Sequence, residues 1–111
     1  MYYIGVDSGT QSTKAIIMEA ESGEIRGKAS KRYGLIQGLP PGHMEQHPEI
    51  WIRETLAAIR EALERSRIDP RHVEGIGVSG QQHGFVPLDR EGRVIRPAKL
   101  WNDTSTTSEC E

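Results

Sequence analysis

The sequence predicts an α/β fold: an antiparallel three-strand meander, then a long helix, then a strand parallel to the first. Three observations carry this. Period-two alternation opens the chain, with Tyr2, Ile4 and Val6 on one side of a strand and Tyr3 and Gly5 on the other. Apolar residues at Ile52, Leu56, Ile59 and Leu63 follow the helical period. Val73–Ser79 is a short β-rich run with polar residues at its carboxyl end, Gly80-Gln81-Gln82-His83-Gly84.

The first strand stops at Asp7, and Ala15-Ile16-Ile17-Met18 resumes the apolar pattern beyond the polar turn Ser8-Gly9-Thr10-Gln11-Ser12-Thr13-Lys14. After Glu21-Ser22-Gly23-Glu24, Ile25–Tyr33 forms a third strand whose charged residues suit a sheet edge. Gly34, Gly38, Pro40, Pro41 and Gly42 make residues 34–47 a loop. Pro48 suits the first helical position and Glu49 the positive end of the helix dipole. The pairs Glu49–Arg53, Arg60–Glu64 and Glu61–Arg65 lie four residues apart on the wet side, and Asp69-Pro70 ends the helix. Val73–Ser79 reads as a buried strand in which Gly75 and Gly77 allow close approach of a helix or ligand. Phe85–Leu88 and Arg93–Ile95, separated by Asp89-Arg90-Glu91-Gly92, read as a second hairpin. Asp103 or Thr104 caps a helix starting at Ser105-Thr106-Thr107, within which the sequence reaches Glu111; the chain is therefore expected to be a portion of a longer protein.

Composition excludes several classes. The 111 residues allow one small domain; hydrophobic residues are 35%, aromatics 5%, and 12 glycines supply much of the rest. A net charge of −2 with interspersed signs offers no field for nucleic acid or an anionic membrane surface. No apolar run approaches the ~18 residues of a membrane span, and no signal peptide is visible at the N-terminus. Cys110 stands alone, which rules out an intrachain disulfide and favours a reducing, cytoplasmic compartment.

The turn after Asp7 is richer in chemistry than a turn requires. Gly9 lets a ligand approach the backbone. Turn N–H groups and the hydroxyls of Thr10, Ser12 and Thr13 form a donor surface for phosphate oxygens, and Lys14 adds positive charge. Asp7 alone would repel phosphate; a Mg²⁺ between carboxylate and phosphates reconciles them. No helix follows, so this is neither a Walker-type nor a dinucleotide-binding glycine loop. The alternative is a solvated hairpin in which Asp7 and Gly9 are ordinary turn formers. His43, His47 and His72 lack the spacing of metal ligands.

The element order is that of the actin-like, ribonuclease-H-like fold, and four blocks resemble the FGGY carbohydrate kinases. Val6–Lys14 resembles their first phosphate signature, D-x-G-T-x-x-x-[KR]. Met44–Trp51 resembles the segment before their first long helix, Gly77–Gly84 their sugar-contacting segment, and Leu100-Trp101-Asn102-Asp103 a fourth block. Glycerol-specific members carry Arg-Glu where this chain has Gln82-His83; the Gly-Gln-x-His-Gly setting with a later Trp-Asn-Asp resembles the members that phosphorylate xylulose. Gln82 replaces the methionine common there, and Gln11 a frequent small hydroxyl residue.

The resemblance implies ATP-dependent phosphorylation of a sugar hydroxyl by the full-length protein, D-xylulose to D-xylulose 5-phosphate, with ribulose, gluconate or glycerol as alternative substrates. A non-catalytic actin-like nucleotide-binding protein is the alternative of another class. By resemblance, Asp7 binds Mg²⁺ through water, and Gly9, Thr10, Thr13 and Lys14 line the ATP phosphates. Gln82 and His83 hydrogen-bond sugar hydroxyls. Trp101, Asn102 and Asp103 contact the sugar or serve structure, and Glu45 and Gln46 reach toward the sugar cleft. The general base and a second, adenine-holding domain are expected beyond these residues, so residues 1–111 alone are expected to be inactive, with an incomplete sheet beside Val73–Ser79. A homodimer is expected of the full-length protein.

Overall fold

The computed structural model describes all 111 residues. Strands β1 (Tyr2–Ser8), β2 (Ser12–Glu19) and β3 (Ile25–Arg32) form the antiparallel meander. Helix α1 spans Glu49–Ser66, and β5 (Val73–Gly80) returns parallel to β1, giving the order β3-β2-β1-β5. Two-residue strands β4 (Glu45–Gln46) and β6 (Ala98–Lys99) make a separate antiparallel pair. They lie in stretches read as irregular, since two residues carry no period.

Alternation places Ile4 and Val6 of β1, Thr13, Ala15 and Ile17 of β2, and Ala29 of β3 on one buried face, which α1 covers. The helix meets this face through Ala58, Ala62 and Ser66 rather than through its large aliphatics. Ile52 and Leu56, expected in the core, are 68% and 59% exposed. The reason is close approach. A Cβ on Gly27 would sit 2.4 Å from the Ala62 carbonyl oxygen, so only small residues fit between α1 and β3. The aliphatic stripe is turned to the helix flank, where Ile59 and Leu63 are partly buried with Ile68 and Val73.

The helix ends earlier than Asp69-Pro70. Arg67 adopts φ 57°, and its N–H donates to the Leu63 carbonyl; Pro70–His72 is a separate 3₁₀ turn capped by Asp69. Of the three expected ion pairs on α1, Glu61–Arg65 forms, and Glu61 also binds Lys31 of β3 at 2.6 Å. Arg53 pairs instead with its neighbour Glu54.

β5 is not the buried strand its composition suggests. Ile76 and Val78 are 58% and 67% exposed, because α1 lies over β2 and β3 and leaves β5 at the uncovered edge. A Cβ on Gly77 would meet nothing within 4 Å, and one on Gly75 would meet only the Tyr3 ring. The expected second hairpin is reduced to a single Leu88–Val94 bridge around a turn in which the Asp89 carboxylate accepts the Glu91 and Arg93 N–H groups. The C-terminal helix is a 3₁₀ turn, Thr107–Cys110, with no side-chain cap. No helix is long and apolar enough to cross a membrane.

Candidate active site

β1 and β5 run parallel with Asp7 beside Ser79 and Ser8 beside Gly80, so their carboxyl ends open into one cleft. Asp7, Ser8, Gly9 and Thr10 form one wall; Gly80, Gln81, Gln82 and His83 form the other, and Trp101 closes the side. The cleft holds about 350 Å³. Polar groups at strand carboxyl ends are the usual ligand position in an open sheet with helical crossovers.

The first wall is fixed from behind. The Gly9 carbonyl accepts from the Tyr33 hydroxyl at 2.6 Å and from Gln81 Nε2 at 3.1 Å. The Thr10 carbonyl accepts from Gln46 Nε2 at 2.7 Å. Thr10 Oγ1 donates to Gln81 Oε1 at 3.3 Å and accepts from Trp101 Nε1 at 3.1 Å. The turn itself closes through the Gly9 N–H to the Ser12 carbonyl at 2.9 Å. Asp7 at its edge is exposed, with no hydrogen-bond or ion-pair partner.

The second wall is different in kind. Gln82 and His83 are exposed, and neither side chain has a protein partner. His83 adopts φ 61°, a left-handed conformation uncommon outside glycine in which Asn, Asp and His are the enriched residues. Residues in sparsely populated backbone regions cluster at ligand sites.

The structure therefore brings together Asp7, Gly9, Thr10, Gln82, His83 and Trp101. It separates the rest. Thr13 is fully buried, its hydroxyl 3.0 Å from the Tyr33 hydroxyl, because β2 alternation turns it with Ala15 and Ile17 into the core. Lys14, opposite Asp7 in the β1–β2 ladder, points to the sheet face away from α1, where it lines a groove with Asp7, Gly77 and Ser79. Asp7 is thus shared between cleft and groove. Asn102 lies outside the cleft lining, and its Oδ1 is buried without a partner. Asp103 serves the loops rather than capping a helix: it accepts the Met44 and Ser105 N–H groups at 2.8 and 2.9 Å and the Ser105 hydroxyl. Burial alone would raise its pKa, but these hydrogen bonds and the Lys99 charge hold it well below the usual carboxylate range.

Glu45 and Gln46 lie behind the cleft, not in it. Glu45 is buried and ion-paired with Arg96 and with Lys99 at 3.3 Å. Burial opposes its charge, yet bonds from Arg96, Lys99 and His43 lower its pKa. His43, Glu45 and Asp103 place ligating atoms within 4.8 Å of one another. Arg96 and Lys99 already neutralise the two carboxylates, so this cluster is an ion-pair network rather than a cation site. Sequence reasoning missed Tyr33 and Gln81 as parts of the site. Gln81 stood in a recognised polar cluster; Tyr33 carried no signal, its bond to Gly9 spanning 24 positions.

The order β3-β2-β1-β5, with α1 between β3 and β5 in the chain, superposes on solved sugar kinases of the actin-like fold. The FGGY family of carbohydrate kinases, N-terminal domain, matches residues 2–111, and the chain belongs to that family. The xylulose kinase of Bacillus subtilis (strain 168) is 43% identical over 109 residues, covering 98% of this chain and 21% of the relative. The crystal structure of the xylulose kinase from Rhodospirillum rubrum superposes with TM-score 0.87 at 29% identity, covering 98% of this chain and 22% of that one. The gluconate kinase from Lactobacillus acidophilus gives 0.86 at 27% identity, with 97% and 21% covered. The chain thus spans about a fifth of the length of the relatives it matches.

Proposed function

We propose that these residues are the amino-terminal part of the first domain of an ATP-dependent carbohydrate kinase, and that the full-length protein phosphorylates xylulose on a hydroxyl. The observation that carries this is the facing of two unlike walls: a pinned backbone turn beside a free carboxylate, and two unpartnered hydrogen-bonding side chains opposite. Phosphoryl transfer asks for that pairing, since it depends on positioning and charge stabilisation more than on covalent chemistry.

The donor set fits Mg²⁺–ATP. Asp7 is an unpaired carboxylate at the cleft mouth, suited to holding Mg²⁺ through its water shell. When bound, Mg²⁺–ATP supplies the phosphoryl group and neutralises charge on it. The backbone of Gly9 and Thr10 binds and orients the phosphates. Lys14, from the adjoining groove, adds long-range positive charge. Gln82 and His83 hydrogen-bond sugar hydroxyls and hold the acceptor in line, and Trp101 shields that side from water. Thr13 supports the turn from the core. None of the cleft residues is placed to take the sugar proton or hold adenine, so residues 1–111 alone are expected not to phosphorylate sugar. We propose a cytoplasmic homodimer for the full-length protein; the single cysteine of residues 1–111, Cys110, is free, which fits a reducing compartment.

The test is a panel of xylulose, ribulose, gluconate and glycerol, assayed with the full-length protein, ATP and Mg²⁺. Highest kcat/KM for xylulose is expected. A higher value for another sugar would reassign the substrate, and no turnover on any would overturn the kinase reading.

A further inference from the structure

The nucleotide wall depends on two side chains, Tyr33 and Gln46, that do not line the cleft. A peptide unit is planar and trans, so fixing its carbonyl fixes the direction of the N–H on its other side. The Gly9 carbonyl is held by Tyr33 and Gln81, which orients the Thr10 N–H. The Thr10 carbonyl is held by Gln46, which orients the Gln11 N–H. Neither of these N–H groups has an acceptor within the protein. Two adjacent donors, aimed and unpaired beside the unpaired Asp7, suit phosphate oxygens.

We infer that Gln46 and Tyr33 are positioning residues for nucleotide phosphate: they set the orientation of the Thr10 and Gln11 amides without touching ligand. Gln46 is built for the task. It is 1% exposed, and all its polar capacity is used inward. Nε2 donates to the Thr10 and Gly34 carbonyls, and Oε1 accepts from Trp51 Nε1 at 2.9 Å. The Trp51 bond ties the turn to the first residues of α1. The adjacent Glu45, paired with Arg96 and Lys99, fixes the two-residue strand that carries Gln46. A buried amide in this state has no spare group for a ligand, so its effect on binding runs only through the turn. Tyr33 acts likewise, its hydroxyl donating to Gly9 while lying 3.0 Å from that of Thr13.

This inference rests on the proposed Mg²⁺–nucleotide site, and the test separates the two. Gln46→Leu and Tyr33→Phe are made in the full-length protein. Binding of Mg²⁺–ADP is measured by calorimetry, and KM for ATP and for sugar is measured separately. Each variant is expected to weaken nucleotide binding and raise KM for ATP by roughly three- to tenfold, the worth of one orienting hydrogen bond. Sugar KM should stay within about twofold. Equal weakening toward sugar and nucleotide would mean a merely structural role and overturn the inference, as would unchanged Mg²⁺–ADP binding. If Gln46→Leu fails to fold, Tyr33→Phe, which removes a single hydroxyl, decides alone. A wild-type protein that binds no Mg²⁺–ADP would overturn the nucleotide site and this inference together.

Discussion

The two walls of the cleft are built on opposite principles. The Asp7–Thr10 wall is a backbone surface held by Tyr33, Gln46, Gln81 and Trp101, all from outside the polar turn. The Gln82–His83 wall is a side-chain surface with nothing holding the side chains and a left-handed backbone at His83. Phosphate is the same in every nucleotide, so its donors gain from being fixed in advance, at no reorganisation cost when charge develops. A sugar hydroxyl needs a partner whose capacity has not already been used. On the proposed function, the contrast gives rigidity to the common reactant and open valence to the particular one.

The largest break in this contrast is expected from Asp7→Asn. The amide has the shape of the carboxylate but not its charge, and Asp7 has no structural partner to lose. Turnover in the full-length protein should fall by about a hundredfold or more with thermal stability unchanged; wild-type turnover with ordinary Mg²⁺ dependence would make the turn a structural element only.

A smaller effect is expected from His83. His83→Ala should raise sugar KM by roughly three- to tenfold, the value of one hydrogen bond, leaving KM for ATP in place. His83→Gly should do the same to KM while stability rises by about 0.5 kcal/mol, since relief of left-handed strain slightly outweighs the entropy of an added glycine. Affinity and stability moving in opposite directions would confirm that the strain aims the side chain; a loss of both would not fit.

The smallest effect concerns acid. Glu45 and Asp103 both have folded pKa values below their ordinary 4.5 and 3.8. Lowered carboxylate values contribute stability that is complete above the ordinary values and is lost as pH falls through the folded ones. Between pH 7 and about 5 the melting temperature should therefore be flat as far as these groups are concerned. Below about 4.5 it should decline, and Mg²⁺–ADP affinity should fall before sugar affinity, because Glu45 adjoins Gln46 on β4. Glu45→Gln should flatten the acid limb; an acid limb identical to wild type would show that this network contributes nothing there.

Much of this was legible in the sequence. Alternation at Tyr2–Val6 and Ala15–Ile17 located the hairpin, and the same alternation, carried back two residues from Ala15, would have turned Thr13 inward and Lys14 outward. The cleft residues Asp7, Gly9, Thr10, Gln82 and His83 stood at strand ends, where polarity after an apolar run is visible. The helix was found but its packed side was not, because periodicity reports a stripe without saying that Gly27, on another strand, admits only alanine and serine. The open edge at β5 matches the incomplete sheet expected beside Val73–Ser79; that α1 leaves β5 uncovered as well is not encoded in the run Val-Glu-Gly-Ile-Gly-Val-Ser. Tyr33 carried no signal, and Gln46 and Gln81 were singled out without their role as braces, because their bonds to the turn span 24, 36 and 72 positions.

The parallel pairing of β1 with β5 has a consequence for how the chain acquires its cleft. β1, β2 and β3 are joined by short turns and can zip locally, while β5 must cross some seventy positions of chain, from Tyr2 to Val73, to find its partner. Non-local parallel pairing carries its loop-closure entropy before any reward and is intrinsically slow. One wall of the cleft lies on each strand, so the meander reaches its native form with only half a cleft. The other half is expected in the last and slowest step. Amide protection should then appear early along β1–β2 and late at Ser79–Gly80, and ligand capture in a refolding reaction should follow the late phase alone.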